Sequence, residues 1–101
     1  MKYNKLVRDK IPAIMESQGQ TPETMILDQT HYTYFLEAKL DEETAEFHKE
    51  KNLEELADIL EVVYALAEAN GCSREELLSV YRKKHDARGG FRDRVFLISK
   101  E

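Results

Sequence analysis

Residues 39–61, KLDEETAEFHKEKNLEELADILE, decide how this chain folds. Two carboxylate pairs stand out there, Glu43-x-x-Glu46 and Glu55-x-x-Asp58, each with a three-residue step. Residues three apart on a helix are neighbours on one face. Two such pairs on adjacent helices bring four carboxylates into one small volume, where they repel unless a cation joins them. The stretch therefore reads as two helices meeting at a divalent-metal site.

The apolar spacing on either side supports this. Before the first pair, Tyr32, Leu36 and Leu40 step by four and Phe47 follows. The position that this stripe skips is Glu43. A glutamate on a buried stripe is costly unless paired or coordinated. The second helix is predicted from Thr30 to Lys51. Asn52 is a candidate N-cap, and Glu55 three residues on completes a capping-box pattern. The third helix is predicted over Leu53–Asn70, with Gly71 as its stop. It has two apolar faces, Leu56/Leu60/Val63/Ala67 and Ile59/Val62/Leu66. Such a helix belongs at the centre of a bundle. Asp58 and Glu55 prolong the second face toward the N-terminus.

Outward from there, residues 4–17 carry Leu6, Val7, Ile11, Ile14 and Met15 at helical spacing. Pro12 removes a donor and biases Ile11 away from helix, so this element either spans 4–17 or starts properly at Pro12 after an irregular segment. Gly19 ends it. Residues 20–29 form a connection in which Met25 and Leu27 plug the bundle. Ser73 with Glu76 opens a fourth helix through about Ala87, with Leu77, Leu78 and Tyr81 facing the core. Gly89-Gly90 breaks it, and FRDRVFLISKE reads as an extended arm. No repeat or low-complexity segment is present. The expected fold is all-α, about four helices in one domain with an extended arm, completed by oligomerisation.

Composition fits this picture and removes several functions. The 101 residues suggest one domain, or one subunit that needs a partner to cover its apolar faces. Two prolines and four glycines leave few breaks. A net charge of −5 argues against nucleic-acid binding, which needs a concentrated positive field. The lone Cys72 makes no internal disulfide and fits a reduced compartment. MKYNKLVRDK has no apolar signal core, and Glu61 and Glu68 interrupt the most apolar run, so no membrane span and a cytosolic address are expected.

The ordinary reading of an acidic run is a solvated helix face paired with lysines, here Lys39, Lys49 and Lys51. Glu42, Glu50, Glu54 and Glu61 keep it. Glu55 has a competing reading as a cap residue only. All-oxygen ligands favour Mg²⁺, with Mn²⁺ as the alternative, over zinc, and Mg²⁺ sites usually include substrate phosphates. No His follows a Glu at di-iron spacing, and His31, His48 and His85 read as surface residues. For phosphate there are two basic pairs, Lys84 with Arg88 beside Gly-Gly, and Lys5 with Arg8. The first pair also suits the end of a helix dipole, and Arg8 also suits a salt bridge to a nearby acid. No Walker spacing is present.

Glu42, Glu43, Glu46, Glu55 and Asp58 form the pattern EExxE followed by ExxD. With NKLVRDKIP, NLEELADILEVVYAL and RGGF, this chain resembles the MazG-like all-α nucleoside triphosphate pyrophosphohydrolases, in particular a phosphoribosyl-ATP pyrophosphohydrolase-like branch. The resemblance implies a helical bundle in a dimer or higher oligomer such as a tetramer. It places Mg²⁺ on Glu43, Glu46, Glu55 and Asp58, the catalytic acids, and matches Lys84 and Arg88 to its basic pair. The link between the two acid pairs is shorter than in most members, so the second helix is expected to end soon after Glu46. The expected reaction is hydrolysis of a small nucleotide between the α and β phosphates, releasing a nucleoside monophosphate and pyrophosphate. Lys84, Arg88, Arg8 and Lys5 are the expected substrate contacts. The alternative is a non-catalytic helical module that binds a nucleotide or protein and holds a structural cation.

Overall fold

Three of the four helices begin where the sequence supplies a side-chain cap. The structure, a computed structural model, describes residues 4–101. Four helices and no strand are found among them: α1 (Ile11–Ser17), α2 (Gln29–Glu50), α3 (Leu53–Ala69) and α4 (Arg74–Arg88). Asp28 accepts the His31 amide at 2.9 Å and starts α2 one residue earlier than expected. Asn52 accepts the Glu55 amide at 3.0 Å. Ser73 and Glu76 form a complete capping box, with both bonds at 3.1 Å.

The first element takes its shorter form. Pro12 lies in the opening turn of α1, where its missing N–H costs nothing, and residues 4–10 remain irregular. α2 ends at Glu50, one residue before the expected Lys51 and one turn after Glu46, as the short link between the acid pairs requires. Lys51 takes a left-handed conformation (φ 52°), its N–H bonds the Phe47 carbonyl, and Asn52 is already the next cap. Two residues thus reverse the chain.

α2 and α3 form an antiparallel hairpin, the principal helix pair of the fold. Its register is marked at the open end by Gln29, whose Nε2 donates to the Ala69 carbonyl at 3.1 Å. Continuing along the hairpin, that register sets Leu36 opposite Val62 and Glu43 opposite Glu55. Leu36 (3% exposed) and Val62 (6%) are the two buried hydrophobic residues among those described. The apolar core and the acid site are therefore successive levels of one interface.

α4 packs on α3 more sparsely, and α1 makes no comparable helix–helix packing. The Arg74 guanidinium lies 3.9 Å from the centre of the Tyr64 ring and pins the start of α4. Some expected core positions stay open. Tyr81 is 59% exposed rather than facing the core, because α4 meets only α3 and its far side has nothing to cover it. Met25 is 77% exposed and does not plug the bundle; Leu27 is half-buried. Of the two apolar faces of α3, one meets α2, while Leu53, Leu56 and Leu60 remain exposed. Residues 91–101 extend away without regular structure. No helix is long and apolar enough to cross a membrane among the described residues.

Candidate metal centre

The hairpin register brings three of the four expected carboxylates together. Single oxygens of Glu43, Glu55 and Asp58 all lie within 4.8 Å of one another, each residue half-buried. Glu43 comes from α2 at the level where the core stripe ends. Glu55 and Asp58 come from the first turns of α3. Glu46 stays outside this set and is exposed. Its position, one helical turn beyond Glu43, is level with Asn52 at the closed end of the hairpin. Its charge nevertheless reaches Glu55.

Glu55 separates capping from coordination. Its backbone N–H is the group Asn52 caps, and its carboxylate does not close the box as Glu76 does for Ser73. The side chain is left to the acid group.

The chain's own cations surround these carboxylates. Arg8 Nη2 donates to Asp58 Oδ1 at 2.7 Å. Lys39 Nζ is 3.3 Å from Glu43 Oε1 and 3.3 Å from Glu42 Oε2. Lys5 Nζ is 3.3 Å from Glu42 Oε1. Glu42 makes the lysine pairing expected of it, with Lys39, but it is half-buried rather than solvent-facing and also meets Lys5. Burial works to raise its pKa, yet Lys39 and Lys5 outweigh it and hold the carboxyl below its ordinary value. Glu55 has no ion-pair partner among the described residues. Partial burial, then the charges of Asp58, Glu46, Glu43 and Glu50, push its carboxyl above the ordinary value.

Beside the acids lies a cleft of about 160 Å³. The irregular segment supplies Leu6, Val7, Arg8 and Asp9; α2 supplies Tyr32, Leu36, Lys39 and Glu43; α3 supplies Asp58, Glu61, Val62 and Ala65. The steps 32, 36, 39, 43 trace one face of a helix. Lys39 is the site residue that the spacing pointed to and the charge concealed. It lies three residues after Leu36 and four before Glu43, and its side chain is 16% exposed.

The remaining expected contacts divide. Arg8 is at the site and takes the salt-bridge role that competed with phosphate binding. Lys5 adjoins the site through Glu42. Lys84 and Arg88 are exposed on α4, and neither lines the cleft. The three histidines are exposed, and His31 Nδ1 lies 2.8 Å from Asp28 Oδ1. The bonds from the His31 amide and ring hold the Asp28 carboxyl below its ordinary value. Glu50 and Glu54 are solvent-facing, as expected; Glu61 is exposed but lines the cleft.

Comparison with known proteins adds little to this geometry. A protein of Mycolicibacterium smegmatis (strain ATCC 700084 / mc(2)155), described as uncharacterized, is 49% identical over 41 residues. The match spans 41% of this chain and 42% of that protein, under half of each. No family model matches, and no solved structure matches significantly.

Proposed function

We propose that this protein is a divalent-cation-dependent nucleotide pyrophosphohydrolase, which releases a nucleoside monophosphate and pyrophosphate. One observation carries the reading: three carboxylates converge, and two of them, Glu43 and Asp58, line a cleft that also presents Arg8 and Lys39. Acids alone would suit a cation. Acids with cations beside a partly apolar cleft suit a cation carried in with an anionic ligand.

The donor set fits the ion. Glu43, Glu55 and Asp58 offer only oxygen, the preference of Mg²⁺ and Mn²⁺, and leave coordination positions for water and phosphate. When bound, such an ion neutralises phosphate charge and helps to orient an attacking water.

The chain's own groups divide the remaining work. Of the three, Glu55 is the carboxylate without a cation partner among the described residues, which leaves an oxygen free to accept a proton from water. The water oxygen bonds to the α-phosphorus, the bond from that phosphorus to the bridging oxygen breaks, and pyrophosphate leaves with the bridging oxygen. Arg8 and Lys39 offer N–H donors to the phosphates once the anion draws them from Asp58 and Glu43. Tyr32, Leu6 and Val7 line the apolar part of the cleft, where a nucleoside fits better than free pyrophosphate.

The second reading is a non-catalytic helical module whose acids serve the fold. The pairs Arg8–Asp58 and Lys5–Glu42 favour it, since the chain already neutralises part of its own cluster. The test is product analysis with a panel of ribo-, deoxy- and oxidised nucleotides plus Mg²⁺. Pyrophosphate and monophosphate in equal amounts support hydrolysis at the α phosphorus. No turnover of any nucleotide favours the module, and orthophosphate means that a different bond is cut.

A further inference from the structure

We propose that the end of α4 and the arm that follows it, residues 82–98, form a docking surface for an anionic phospholipid bilayer. The first observation is the segregation of charge. Arg82, Lys83, Lys84, Arg88, Arg92 and Arg94 stand against Asp86 and Asp93, which leaves residues 82–94 at +4 in a chain whose net charge is −5. The overall acidity conceals one basic end. None of these six cations forms an ion pair among the described residues, whereas Lys5, Arg8 and Lys39 are drawn to the acids of the hairpin. Residues 81–101 are exposed throughout, and neither Lys84 nor Arg88 lines the cleft.

The second observation is the apolar surface joined to this charge. Phe91, Val95, Phe96, Leu97 and Ile98 are each at least 75% exposed. In an extended segment successive side chains point to opposite sides, so Val95 and Leu97 occupy one side and Phe96 and Ile98 the other. A flat protein surface covers only one of those sides. The boundary between lipid headgroups and acyl chains receives both. Residues 95–101 make no hydrogen bond among the described residues, so their backbone groups need polar partners. Headgroups and interfacial water supply them, which places the arm at the boundary rather than in the hydrocarbon.

The helix contributes a face of the same kind. Leu77, Tyr81, Lys84 and Arg88 step by four, three and four, and so share one side of α4. That side changes from apolar to aromatic to basic toward the arm. Tyr81 has the apolar body and polar tip that suit an interface. Lys84 and Arg88 can lay their stems along the boundary and direct their charged ends to lipid phosphates. A nucleic acid would pair with the same cations but leave Val95, Leu97 and Ile98 in water. Docking uses neither the acid cluster nor a nucleotide, so it stands or falls separately from the proposed reaction.

The test is flotation of the full chain with vesicles of phosphatidylcholine, alone or mixed with phosphatidylserine, without metal or nucleotide. The wild type is expected to float with the mixed vesicles only, and less as salt rises. Lys84→Gln with Arg88→Gln should weaken this binding about fivefold per charge removed. Phe96→Asp with Ile98→Asp, outside every helix, should weaken it at least about tenfold. Circular dichroism of both variants should match the wild type, since all four positions are exposed. Equal flotation with the two kinds of vesicle, or with neither, overturns the proposal, as does binding that both variants leave unchanged. Single-stranded RNA that displaces the mixed vesicles and binds the arm variant as tightly as the wild type also overturns it, in favour of a nucleic-acid surface.

Discussion

Arg8 and a divalent cation compete for the same carboxylate, and Arg8→Gln exposes that competition. The guanidinium meets Asp58 Oδ1 at 2.7 Å, a bond any ligand-binding change at Asp58 must rearrange. The two side chains are 54% and 38% exposed, so solvent screens the pair. Exposed pairs of this kind are worth about 0.2–1 kcal/mol. Removing the competitor should therefore tighten Mn²⁺ binding by roughly 1.4- to 5-fold in the absence of nucleotide. The gain should shrink as salt rises, because screening already weakens the bond it replaces. Turnover should move the other way, since Arg8 is one of the cations assigned to the phosphates. Titration calorimetry with Mn²⁺ and a pyrophosphate-release assay on the same preparation give both numbers. Weaker Mn²⁺ binding in the variant would refute the competition, and unchanged turnover would remove Arg8 from the phosphate site.

Leu36→Ala should cost about 2–5 kcal/mol in urea denaturation, because Leu36 is 3% exposed and holds the hairpin against Val62; a loss below 1 kcal/mol would mean that this level is not the core. Lys39→Gln leaves Glu43, 13% exposed, without the cation that neutralises it. The variant should lose about 1–3 kcal/mol and regain part of it when Mn²⁺ is added, whereas a loss that metal does not relieve would place Lys39 in the fold alone. Glu55 and Glu42 predict opposite responses to acid. The raised pKa of Glu55 means that its ionised form costs stability at neutral pH, and the cost disappears as pH falls through that raised value. The lowered pKa of Glu42 means that its pairing with Lys39 and Lys5 stabilises above pH 4.5 and is lost as pH falls through the lowered value. Glu55→Gln should consequently melt higher than wild type at neutral pH, converge with it in mild acid, and bind Mn²⁺ more weakly throughout; a lower melting temperature at neutral pH would show that Glu55 supports the fold.

Local signals made most of the helices readable. Asn52 and Ser73 start α3 and α4 as their side chains dictate, and Glu43 betrays the site because it interrupts an apolar stripe. Each of these depends on residues within a few positions of one another. The Arg8–Asp58 bond spans 50 residues, and no periodicity connects the two. Lys39 was hidden for a different reason: its charge suits a solvated face, although its phase on α2 belongs to the cleft. Glu46 shows the reverse. Its three-residue step from Glu43 is right for one helix face, but the two-residue turn ends the hairpin level with it and leaves it outside the group. The apolar stripes of Leu56 with Leu60, and of Tyr81, were legible as stripes. Spacing identifies a face that requires cover, and it carries no information about whether the same chain provides it.

Hydrolysis in heavy-oxygen water tests the central claim most directly. Wild type and Glu55→Gln are compared with the best nucleotide of the panel and Mg²⁺, and the label is located by mass spectrometry. The account predicts stoichiometric monophosphate and pyrophosphate from the wild type, with the heavy oxygen in the monophosphate, and no product from Glu55→Gln. Label in pyrophosphate, or equal turnover by the variant, would contradict attack at the α-phosphorus by a water that Glu55 serves.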